Sequence, residues 1–304
     1  MKWGLIASGV LIVLIAVVTV IAMRGNAERS TTATSKQMLA VRDFKGQPAV
    51  VEFAGGDASA AFQDIVKFYE DNASILDGER IPAELSEQAI DVMIKFHQAG
   101  TVSGSFLDKT TPTVPHGTPS FGTAVQMVGL AASKRAGELH GRNDTAAKER
   151  AVKAAKAVWA IGQNMFEKAT RFPIRQQGLE TMKTAGNEMF NWEDEGNLSD
   201  AVGKWSEAIL NYENNFLKYK LDIVYGLSPN VGDLLNIAYE DQDISFRVEA
   251  VLAMGWVKYN PRTRGNANAL ERALNKLQTD PQPMVAEAAR AAAAFSKEQL
   301  HNIK

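Results

Sequence analysis

From Trp3 to Met23 the chain runs WGLIASGVLIVLIAVVTVIAM, without a charge, between Lys2 and Arg24. As an α-helix this stretch is ~31 Å long, about the thickness of a bilayer's hydrocarbon core. Only Ser8 and Thr19 interrupt it, so it lacks the polar stripe of a helix that packs in a soluble core. The run predicts a single transmembrane helix over 1–24, contacting membrane lipid through residues 3–23. A cleaved signal peptide is the rival, with small residues at Gly25-Asn26-Ala27 for a cleavage site. Its apolar stretch would be shorter, about 7–15 residues. The expected location is a single-pass membrane site of the bacterial inner-membrane type, with the body outside the cytoplasm. The cations beyond the span (Arg24, Arg29, Lys36, Arg42) argue for the opposite orientation.

The rest of the chain divides by composition and periodicity. Residues 25–45 read as a polar tether. Residues 46–99 read as a small region with a short strand at Pro48–Phe53 (PAVVEF) and a helical hairpin. One helix of that hairpin carries Phe62, Ile65, Val66 and Tyr69 at helical spacing; the other carries Leu85, Ala89, Val92, Met93 and Phe96 after Pro82. Residues 100–121, rich in Gly, Ser, Thr and Pro, read as a long loop or joint. Residues 122–226 predict a helical bundle. Its helices are Ala124–His140, Thr145–Thr170, one from Pro173 to near Asn191, and Ala201–Phe216, the last with Trp205, Ile209 and Tyr212 on its apolar stripe.

Residues 227–304 match themselves at an offset of 39 residues. Asp241 falls on Asp280, Phe246 on Val285, Ala250 on Ala289 and Trp256 on Phe295. The two turns read DQDISFRVEAVLAMG and DPQPMVAEAARAAAA. On Asp280, Pro281, Val285 and Ala289, and on Asp241, Arg247 and Ala250, this quarter of the chain resembles the HEAT-repeat family. The second unit departs from that pattern with Ala286 where Arg is usual; the first has Gln242 for Pro and Phe246 for Val. The resemblance implies stacked helical hairpins, and an Arg247 that reaches the aspartate of a neighbouring turn. In the same reading Asp241 and Asp280 cap the second helix of each unit, and Pro281 suits its first turn.

Little points to chemistry. A formal net charge of −2 argues against a general nucleic-acid binder, and no nucleic-acid partner is expected. With no cysteine, thiolate catalysis, disulfides and cysteine-ligated metals are excluded. GxxxxGK[ST], GxGxxG after a strand, HExxH, GxSxG and Ser-x-x-Lys are all missing, and the four histidines share no helical turn. Hence no catalytic, cofactor-binding or metal residue is assigned, and no cofactor is expected. Two features remain. A basic stretch holds Lys134, Arg135, Arg142, Lys148, Arg150, Lys153 and Lys156, and an acidic one holds Glu188, Glu193, Asp194, Glu195 and Asp200. The candidate partner-binding residues are Lys148, Arg150, Lys153 and Lys156, with His116 in the long loop.

The fold expected is thus mainly α: a transmembrane helix, then a bundle or solenoid ending in HEAT-like hairpins. The function expected is a non-enzymatic scaffold or adaptor that binds another protein. The alternatives are a structural subunit of a larger membrane complex, or a binder or enzyme with a cleft under the 100–121 loop, near His97, His116, Asp91 or Asp108.

Overall fold

The computed structural model describes residues 47–109, 121–192, 195–213, 230–259 and 265–296. The predicted span and tether, His116 and most of the 100–121 loop lie outside these residues. Among the described residues there are eleven helices and no strand, and no helix is long and apolar enough to cross a membrane.

In chain order the helices are α1 (Ser59–Leu76), α2 (Ala83–Ala99), α3 (Gly104–Lys109), α4 (Gly122–His140), α5 (Thr145–Lys168), α6 (Phe172–Met189), α7 (Gly196–Tyr212), α8 (Val231–Glu240), α9 (Ile244–Val257), α10 (Ala267–Leu277) and α11 (Pro283–Ala294). Several starts follow from local chemistry. The side chains of Asp144, Asn230 and Asp243 each accept a backbone N–H two residues on, capping α5, α8 and α9. Pro173 and Pro283 sit in the first turns of α6 and α11, where a missing N–H costs nothing.

Helix α5 is the hub of the bundle and packs on α2, α4 and α6. Its second half is buried nearly all round, through Ala154, Ala155, Ala157, Val158, Trp159, Ala160 and Ile161. Where α5 crosses α6, two glycines face each other. A Cβ on Gly162 would lie 2.7 Å from the Gly178 carbonyl oxygen, and one on Gly178 would lie 2.5 Å from that of Gly162. Only glycine lets the two backbones approach this closely.

Helices α1 and α2 pack on each other and on α4. Gly46–Lys304 is one compact unit that includes the described residues of the 100–121 stretch. The first part of that stretch is ordered against α5. Val102 N–H donates to Asn164 Oδ1 at 3.0 Å, Asn164 Nδ2 donates back to the Val102 carbonyl at 3.3 Å, and α3 buries Leu107. A buried amide needs such partners, and this one has them on both sides.

The strand expected at Pro48–Phe53 does not form. The segment is irregular, with Val50 and Val51 buried, and among the described residues no strand lies alongside it. Its carbonyls go to side chains instead. Trp205 Nε1 of α7 donates to the Pro48 oxygen at 2.7 Å, and His97 Nε2 of α2 donates to the Glu52 oxygen at 2.9 Å. β-Branched residues favour a pleated surface only where a ladder partner exists. The backbone then meets Thr101 in one isolated parallel bridge from Asp57, where Gly56 and Gly100 pass closely and Gly100 takes a φ of 119°.

Candidate functional site

The charged residues that sequence reasoning marked for partner binding are distributed along α5. Arg150 turns inward to α2, with Nε 3.1 Å from Glu87 and Nη2 2.9 Å from Asp91. Arg135 of α4 meets the same Glu87 at 2.7 Å, and Glu138 at 2.7 Å. Burial on its own would raise the Glu87 carboxyl, but the two guanidinium groups outweigh it and hold it below the usual carboxylate range. So Arg150 ties α5 to α2. Lys148 and Lys156 are half-buried on α5, and Lys153 is exposed. The basic and acidic stretches do meet at one point. Glu188 of α6 lies against Gly137 of α4, near Lys134; burial raises its carboxyl and the lysine opposes that only in part.

Of the residues considered for a cleft, those the structure describes are each engaged separately. His97 holds the Glu52 carbonyl, Asp91 pairs with Arg150, and Asp108 accepts the N–H groups of Thr170 and Arg171, both at 3.0 Å. Burial pushes the Asp108 carboxyl up despite those donors and the nearby Arg171 charge.

Of the repeat-turn residues, Arg247 reaches the aspartate of a neighbouring turn as the pattern implied, while Asp241, Asp280 and Pro281 have different roles. Asp243, not Asp241, caps α9: its Oδ1 takes the Ser245 N–H at 3.0 Å. Asp241 sits one step earlier and accepts from Asp243 N–H at 2.8 Å. Asp280 does likewise for Gln282 N–H at 2.9 Å, so it shapes the turn before α11 rather than its cap. Pro281 precedes the helix, and Pro283 occupies the first turn. Both corrections have one cause. In both turns the aspartate stands three residues before the first residue of the helix, too far back to reach the helix's second N–H. Arg247 donates from Nε to the Ala238 carbonyl at 2.9 Å and pairs through Nη2 with Asp280.

Sequence reasoning missed the most deeply buried charges. Arg171 and Glu249 pair at 2.8 Å, with side chains 2% and 1% exposed. Arg175 pairs with Asp243 at 3.1 Å, also bonds Ser245, and donates from Nε to the Phe166 carbonyl at 3.1 Å. Phe172 packs on Phe246 beside them. This cluster fastens the first turns of α6 to α9. One signal was available: Glu249 is the sole charge in the run from Val248 to Val257, and a charge there has to find a partner.

Among the described residues no group of His, Cys, Asp and Glu is placed to hold a metal ion. Comparison with family models, with curated proteins and with solved structures finds no match in any of the three.

Proposed function

We propose that the chain is a membrane-anchored helical scaffold whose body holds another protein. The observation that carries this reading is the pairing of α8 with α9 and α10 with α11, with α9 packed on α11 and α8 on α10. Hairpins stacked in this way, as in the HEAT-like pattern of their turns, present long faces suited to a protein partner. The charge chemistry of the interior supports the same reading: Arg171 binds a carboxylate of α9, Arg175 and Arg247 bind carboxylates in the turns before α9 and α11, and all three serve architecture. The apolar run at residues 3–23 supplies the tether to lipid.

Extraction of the full chain from its native membrane in mild detergent tests the proposal. A second polypeptide is expected at fixed stoichiometry, and reversing the exposed charge with Lys153→Glu is expected to weaken that association without changing the melting temperature. Recovery of the chain alone, after both gentle extraction and prior cross-linking, contradicts the scaffold reading.

A further inference from the structure

Arg175 and Arg247 make the same set of bonds. Each is the fourth residue of its helix, α6 beginning at Phe172 and α9 at Ile244. Each donates from Nε to a carbonyl nine residues back: Phe166 for Arg175, Ala238 for Arg247. That carbonyl lies two residues before the end of the preceding helix in both cases, α5 ending at Lys168 and α8 at Glu240. Carbonyls in a helix's last turn lack an intrahelical donor, and the guanidinium supplies one. Each arginine then uses an Nη to pair with an aspartate in the turn that opens the next second helix. The aspartate is Asp243 before α9 for Arg175, and Asp280 before α11 for Arg247. They differ in one detail: Asp243 is the residue just before its helix, whereas Asp280 is three residues before.

We infer that α5–α6, α8–α9 and α10–α11 are three successive units of one stack, joined by an arginine ladder with rungs Arg175–Asp243 and Arg247–Asp280. Helix α7 and the chain up to Asn230 are an insertion between the first and second units. Other observations fit this register. The seventh residues of the three second helices are Gly178, Ala250 and Ala289, all small and all buried. The fourth residue of α11 is Ala286, so the third unit has no arginine to pass on and the ladder ends where the described chain ends its last hairpin. At the other end no aspartate stands in the turn before α6. Asp108 of α3 supplies the carboxylate there, taking the N–H groups of Thr170 and Arg171. The insertion also accounts for the first unit's being hidden from a search at constant period. The inference concerns how the body is built and does not depend on a partner being bound.

A ladder makes a nested response the signature. Each arginine is shared between its own unit and the next, so losing one frees the units beyond it and spares those before it. Amide hydrogen exchange of the full chain in mild detergent, resolved by segment, reads this. With Arg175→Met, exchange in α8, α9, α10 and α11 is expected to rise together by about a hundredfold, the consequence of stranding Asp243 buried and unpaired. Helices α1, α2 and α4 keep their protection. With Arg247→Met, the rise is expected in α10 and α11 only. Arg175→Lys keeps the charge but cannot span carbonyl and carboxylate together, so it gives the same pattern at smaller size if the methionine variant does not fold. The exchange of aspartate and arginine in Arg175→Asp with Asp243→Arg restores part of the protection. The inference is overturned if the effect of either Arg175 variant stays within the first turn of α6. It is equally overturned if Arg247→Met opens α8–α9 as much as α10–α11.

Discussion

Asp108 shows how a single carboxylate sets the local balance between burial and hydrogen bonding. It holds two backbone N–H groups at the start of α6 and has its pKa raised by burial. Asp108→Ala strands both amides and is expected to cost about 1–3 kcal/mol. Asp108→Asn keeps the accepting oxygen and removes the charge. Because the folded pKa is raised, the aspartate contributes stability that is full below its ordinary value and is lost as pH rises through the raised one. The melting temperature of Asp108→Asn relative to the parent should therefore climb between pH 4 and pH 8. A difference that stays flat or falls over that range counts against the buried carboxylate. Glu87 has the opposite sign: Arg135 and Arg150 lower its pKa, so its contribution is present above the ordinary carboxylate range and fades as pH falls.

At the scale of helices, the α5–α6 crossing depends on the absence of two side chains. Gly178→Ala would put a methyl 2.5 Å from one backbone oxygen and 2.7 Å from the Phe166 nitrogen, neither of which can rotate away. A loss of about 1–3 kcal/mol is expected in chemical unfolding. Gly196, at the start of α7, is the control. Nothing lies within 4 Å of a Cβ there, and Gly196→Ala should stabilise by about 0.4–1 kcal/mol through the unfolded chain. A gain at both sites would show that helix propensity, not close approach, decides. Periodicity made most of these elements legible. The stripes of Phe62 and Ile65, of Ala89, Met93 and Phe96, and of Trp205, Ile209 and Tyr212 are all buried as spacing implies. The turn chemistry was harder to read, since Asp241 and Asp243 are both good caps and only the backbone path decides between them. Pro48–Phe53 failed for a related reason: its residues suit a strand, but strand formation is a property of two segments.

Over the whole molecule, long-range pairs were the least visible in sequence. Arg171 and Glu249 are far apart along the chain, and nothing local to either names the other. The equivalence of Arg175 and Arg247 is concealed by the residues placed between their units. What sequence did mark, independently of the folded body, is the uncharged run at its beginning. The body has its own core, hub helix and internal ion pairs, and it should stand without that run. Alkaline washing of membranes, paired with circular dichroism and melting of the chain that begins at residue 37, tests both halves of this description at once. The full chain is expected to resist release from membranes, while the shortened chain is soluble, strongly helical and melts cooperatively. A full chain freed by the wash, or a shortened chain with the spectrum of a coil, contradicts a tethered, self-standing helical body.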